Sequence, residues 1–140
     1  MKFFDTSVLV AAVTVQHVHH SPSLRALLDT GKAQARCAAH SLAELYSTLT
    51  RLPGNQRMDS DQALLIIDEM RSRFKAVFLD ADEYYSVIAG AAAAGIVGGM
   101  IYDALIARCA LKSRADVIYT WNTGHFQQLG SEVAKRLQSP

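Results

Sequence analysis

Cysteine is scarce in this chain, with 2 among 140 residues. Cys37 and Cys109 lie in apolar stretches with no CxxC spacing and no histidine paired to them. That excludes a disulfide-stapled secreted scaffold and reads as two reduced core thiols of a cytosolic protein. An excess of one charge sign is missing too. Lys and Arg number 14 against 13 Asp and Glu, a net charge of +1. No global positive field is present to draw in a polyanion, so any nucleic-acid contact must rest on a local basic patch. Long hydrophobic runs are also lacking. Residues 86–102 carry no charge, but the stretch is rich in alanine and glycine and shorter than the roughly 20 residues a membrane span needs. Residues 1–15 loosely resemble a signal peptide, yet Asp5 interrupts the passage from charged to apolar and no small-residue cleavage site follows. Repeats and low-complexity linkers are absent. The expectation is one soluble domain over residues 1–140, long enough to bury a core.

What is present alternates short apolar runs with helical patterns. Residues 2–4, 33–38, 77–79 and 117–120 read as strands. Ser21-Pro22 reads as the start of a helix to about Asp29. Ser41 reads as the cap of a helix to Leu52, with Leu42, Leu45, Leu49 and Leu52 on one stripe. Further helices are expected from Asp59 or Ser60 with Ala63, Leu64, Ile67 and Met70 inward, from Asp82 to about Gly95, and from about Met100 to Lys112. The tail 131–140 fits a short edge strand or a last helix. Strands separated by helices require crossover connections, which implies an α/β three-layer sandwich with a short, mainly parallel sheet flanked by helices.

Isolated acids stand out against this background. Asp5 ends the first strand, Glu44 rides the helix after Ser41, and Asp103 interrupts a helix that is apolar nearly all round. An ionised carboxylate in apolar surroundings is costly unless a cation meets it. Three such acids suggest one shared divalent-cation site. Each also has a plain structural reading. Asp5 can bond the backbone of Ser7 in a turn, Glu44 can close a capping box with Ser41, and Asp103 can serve a helix dipole. In open α/β sheets ligands sit outside the carboxyl ends of strands. Asp5 lies there after strand one, and Asn122 lies just past strand four.

The residues around these acids resemble the PIN-domain family. Met1-Lys2-Phe3-Phe4-Asp5-Thr6-Ser7-Val8-Leu9-Val10 is similar to its opening strand and Asp motif. Ser41-Leu42-Ala43-Glu44-Leu45 is similar to the second acidic motif and Tyr102-Asp103-Ala104-Leu105-Ile106-Ala107 to the third. Tyr119-Thr120-Trp121-Asn122-Thr123-Gly124-His125-Phe126 resembles the fourth. The resemblance covers essentially the whole chain, and its length is that of VapC-type toxins. It implies a PIN-like fold and a magnesium-dependent endoribonuclease, with manganese as a substitute, leaving 5′-phosphate and 3′-hydroxyl ends. Asp5, Glu44 and Asp103 carry over as metal-site carboxylates, and Thr120 as a residue orienting an acid or water. Asn122 stands where many members have Asp, which places a fully occupied second metal site in doubt. The resemblance also implies a cytoplasmic toxin inhibiting translation, a cognate antitoxin, a homodimer, and transfer, ribosomal or messenger RNA as substrate.

The chemistry agrees with that resemblance. Oxygen donors without cysteine or clustered histidine favour hard Mg²⁺ or Mn²⁺ over zinc. A catalytically weak PIN domain that binds RNA or a protein partner is the alternative, kept open by Asn122. A phosphotransfer receiver fits poorly, because Asp5 has no acidic neighbour and no lysine ends strand four. His17, His19 and His20 read as surface or helix-start residues and His125 as a loop histidine. Arg51, Arg57, Arg71, Arg73, Lys75, Arg108, Lys112 and Arg114 are candidates for phosphate contact, most of them ordinary solvated surface.

Overall fold

Strands of only two to four residues form the centre of the molecule: β1 (Lys2–Phe4), β2 (Ala35–Ala38), β3 (Lys75–Val77), β4 (Val117–Tyr119) and β5 (Leu137–Gln138). In a computed structural model that describes residues 1–140 they make one parallel sheet of order β3-β2-β1-β4-β5. Parallel neighbours need crossovers. These are supplied by α1 (Thr6–Val13), α2 (His20–Leu28), α3 (Ala39–Leu49), α4 (Ser60–Arg73), α5 (Ala81–Ala93), α6 (Met100–Lys112), α7 (Thr123–Gln127) and α8 (Ser131–Ala134).

Strand alternation divides the core in two. Phe4 and Cys37 point to one face, where they meet Val8 and Leu9 of α1, Leu27 of α2, Leu45 and Leu49 of α3, and Met70 of α4. Phe3, Ala38 and Ile118 point to the other, against Ile106 and Ala110 of α6, Phe126 of α7 and Val133 of α8. The expected three-layer α/β sandwich is the fold, and full burial of each phenylalanine contributes about 1.5–3 kcal/mol.

Several boundaries differ from the sequence expectation. α2 starts at His20 with His19 as its N-cap, so Ser21 is not the cap and Pro22 takes the third helical position. There the missing N–H is still one that the helix leaves unpaired. α3 begins at Ala39, two residues before Ser41, and the buried Ser41 Oγ has no hydrogen-bond partner. The capping box expected of Ser41 and Glu44 therefore does not form. β3 ends at Val77, leaving Phe78 70% exposed, and Leu64 faces solvent on α4. The real capping boxes are Asp59 with Gln62 and Asp80 with Glu83, which open α4 and α5. The tail contains both candidates, α8 and then β5. No helix is long and apolar enough to cross a membrane.

Candidate active site

The strand order reverses at β1, with β2 and β3 on one side and β4 and β5 on the other. Such a reversal opens a crevice beyond the carboxyl ends of the strands. A cleft of about 870 Å³ lies there, lined by Asp5, Glu44, Asp103 and Asn122 among others. Residues from four separated parts of the sequence thus share one opening. Thr120 is 0% exposed and stands behind Asp5, outside the cleft lining.

Asp5 is the N-cap of α1, its carboxylate accepting from the Ser7 amide at 3.4 Å. Ser7 Oγ donates to the same Oδ2 at 2.6 Å and Thr120 Oγ1 donates to it at 2.8 Å. All three bonds end on Oδ2, and no side-chain donor reaches Oδ1. The turn-acid reading of Asp5 is therefore correct, yet it engages only one oxygen. Burial raises the Asp5 pKa above the ordinary carboxylate value, and the Asp103 charge raises it further. The Ser7 and Thr120 hydroxyls and the Thr6 amide oppose that rise.

Glu44 sits mid-helix on α3 and reaches across to α1, where Thr6 Oγ1 donates to its Oε2 at 2.5 Å. Its Oε1 lies 3.2 Å from His40 Nε2, one helical turn back. The His40 ring stacks on Tyr102, centroids 5.4 Å apart and planes within 11°. Asp103 occupies the first turn of α6, and its Oδ2 lies 3.1 Å from His125 Nδ1. Burial is the main cause of its raised pKa, with His125 opposing and Glu44 adding to the rise. The repulsions named for Asp5–Asp103 and Asp103–Glu44 link the three acids in one chain. No three of these side chains stand together as a ready-made metal cage. Glu44 and Asp103 are turned onto their own partners.

Sequence reasoning named the Ser7 backbone as a partner of Asp5 but missed the Ser7 hydroxyl, Thr6, His40 and His125 as partners of the acids. The His40–Glu44 spacing of four is visible only once α3 is known to start at Ala39. His125 lies in α7 rather than in a loop. Of the eight basic candidates only Arg51 lines the cleft. Arg71 pairs with Asp68, Arg73 with Glu69, and Arg108 and Lys112 with Glu83.

Comparison with known proteins settles the family. The PIN domain model matches residues 2–131. The chain belongs to the PIN domain family. It is 32% identical over 114 residues to ribonuclease VapC40 of Mycobacterium tuberculosis, covering 81% of each chain. Identity to ribonuclease VapC27 of the same species is also 32% over 114 residues, covering 81% of this chain and 79% of that one. Among solved structures, the PIN fold found here superposes on M. tuberculosis VapC20, a sarcin-ricin loop cleaving toxin, with a TM-score of 0.72 at 15% identity. That match covers 89% of this chain and 92% of VapC20. VapBC2 from Rickettsia felis, bound to a DNA fragment from its promoter, gives 0.65 at 19% identity over 99% of this chain and 98% of that one.

Proposed function

We propose that this PIN domain is a divalent-metal-dependent endoribonuclease, the toxin of a toxin–antitoxin pair that arrests growth by cutting RNA in the cytoplasm. One observation carries the reading: Asp5, Glu44 and Asp103 line a single cleft at the strand-order reversal, and none is ion-paired to lysine or arginine. Membership of the PIN family and 32% identity to two ribonucleases support it. Two buried free thiols suit a reducing compartment.

The residues fit a hard cation. Their donors are carboxylate oxygens, Asp5 keeps Oδ1 free of side-chain donors, and no lysine or arginine pairs with any of the acids. Asp5, Asp103 and Glu44 would hold Mg²⁺, or Mn²⁺ in its place. Such an ion supplies Lewis acidity, lowering the pKa of an attacking water and offsetting charge on the phosphate. The chain's own part is orientation. Ser7 and Thr120 fix the Asp5 carboxylate, Thr6 and His40 fix Glu44, and His125 holds Asp103. Asn122 presents a neutral amide at the rim, able to orient water or phosphate but not to offset cation charge.

An exposed single-stranded loop of transfer or ribosomal RNA, or a messenger, suits so open a cleft. Tyr85 and Ile88 are exposed on α5, and this apolar surface supports protein contact, with a cognate antitoxin and a second copy of the chain as the proposed partners. The test is incubation with total RNA in Mg²⁺, Mn²⁺ or EDTA beside Asp5→Asn and Asp103→Asn, with mapping of the cut ends. Discrete metal-dependent cuts with 5′-phosphate ends, lost in both folded variants, are expected. RNA binding without any cut by the metal-loaded wild type would instead favour a binding module.

A further inference from the structure

The connection between α1 and α2 brings two histidines, His17 and His19, to the cleft, and the acids make no use of them. His19 lies flat on Trp121 with ring centroids 3.8 Å apart and planes within 9°. Trp121 is the chain's single tryptophan. Its amide donates to Ser7 Oγ at 3.0 Å and its Nε1 donates to the buried Ser23 Oγ at 2.9 Å. Ser7 is also the hydroxyl that holds Asp5, so one side chain ties the Trp121 backbone to the acid. His17 lies 5.7 Å from the His19 ring, tilted by 44°, its Nδ1 accepting from the His19 amide. Desolvation, followed by the charges of His19 and His20, holds the His17 pKa below the usual imidazole range.

A stack inside a core would need no further account. This one is on the surface: His17, His19 and Trp121 all line the cleft, and Val18 between the histidines is 85% exposed. Arg51 lines the same cleft and makes no ion pair or side-chain hydrogen bond. An aromatic surface beside a cation suits single-stranded nucleic acid, because every base has a face to stack while the cation meets the backbone. We propose that His19 and Trp121 form a base-stacking wall, on which an unpaired base next to the scissile phosphate packs, with Arg51 contacting the RNA backbone. This inference rests on the ribonuclease reading and assigns its substrate-positioning residues.

Trp121 emission reports the wall directly. A short single-stranded RNA with a labelled end is titrated in EDTA, following anisotropy for binding and tryptophan emission for stacking. The wall predicts saturable quenching with the anisotropy midpoint, and no quenching by an abasic RNA of equal length. His19→Ala should weaken binding about tenfold, while His19→Phe, which keeps a stacking face, stays within about twofold. A merely structural stack would not distinguish base from abasic RNA. RNA that binds with unchanged emission, and equally well to His19→Ala, overturns the wall; metal-dependent cleavage in the same preparation leaves the ribonuclease reading standing. RNA neither bound nor cut by wild type overturns both.

Discussion

Replacing Asp5 should separate what the carboxylate does for stability from what it does for a cation. In Asp5→Asn the amide oxygen can take the place of Oδ2, accepting from Ser7 and Thr120 and keeping the cap of α1, while the amide nitrogen replaces the oxygen that no side-chain donor reaches. Asp5→Ala loses the cap, about 1 kcal/mol, and strands the buried Thr120 hydroxyl without its acceptor, about another 1 kcal/mol. Unfolding entropy of about 2.1 cal/mol/K per residue comes to about 0.3 kcal/mol/K for this chain. The Asn variant should therefore melt about 7 °C above the Ala variant. It should also melt at or above wild type in EDTA at neutral pH, because it removes a buried charge. The sign follows from the raised Asp5 pKa. For such an acid the stability contribution is full below the unfolded value and is lost as pH rises through the folded one. The advantage of Asn over wild type should then vanish in acid and grow upward from the ordinary carboxylate range. With Mn²⁺ at about 100 times its Kd, wild type gains about 2.7 kcal/mol, or about 9 °C, and both variants lose that gain. Differential scanning fluorimetry across pH, with and without metal, measures all of this. An Asn variant that melts well below wild type in EDTA, or shifts with Mn²⁺ as wild type does, would refute the reasoning.

Other substitutions probe the same framework. Thr120→Val keeps shape but removes the donor to Asp5 and the acceptor of the Asn122 amide, so it should cost about 1–3 kcal/mol by urea denaturation and lower cleavage. Asn122→Asp adds a carboxylate to the cleft and should tighten divalent binding about tenfold in calorimetry, since affinity follows ligand charge. Equal affinity would place Asn122 outside the cation's reach. Burial pushes the Cys37 and Cys109 thiols up to about 12 and about 11. Both should resist a thiol reagent at neutral pH in the native protein and react fully in denaturant.

Strands β1, β2 and β4 were legible as short runs cut off by turn residues, and parallel crossovers leave few topologies. The expected strand 77–79 meets β3 only at Val77, and β5 was one of two readings of the tail. Boundaries were harder. Ser21-Pro22 and Ser41-Leu42-Ala43-Glu44 both carry helix-start chemistry, yet each helix begins upstream, where tertiary packing holds residues that have weak capping preference of their own. That shift changes what Glu44 can do. A residue closing a capping box is engaged with its own backbone, whereas in the second turn of α3 Glu44 reaches Thr6 on another helix. The acids themselves could be found by their apolar surroundings. Ser7 was legible as a backbone partner of Asp5, but Thr6, His40 and His125 were not, since His40 approaches only through helix geometry and the other two arrive from different elements.

The arrangement of charge pairs points to what the cleft lacks. Away from it, Asp68 and Glu69 pair with arginines on α4, Glu83 with Lys112 and Arg108, Asp116 with the amino terminus, and Glu132 with Lys135 and Arg136. These partners lie towards the surface, where solvent screens such pairs and they contribute little. The three cleft acids are held by hydroxyls, imidazoles and a backbone amide with no lysine or arginine, although pairing matters more for a carboxylate withdrawn from water. Hydroxyls can orient a carboxylate without neutralising it. Burial is the main cause of the raised Asp5 and Asp103 pKa values, and a neighbouring acid adds to each. β1 delivers Asp5 to this rim and the parallel β4 brings Thr120 and Asn122 to the same end, while α3 and α6 supply Glu44 and Asp103. On the proposed metal-site reading, such a site would give up stability in the metal-free chain and recover it with a cation, so metal binding and the fold of the rim should respond together.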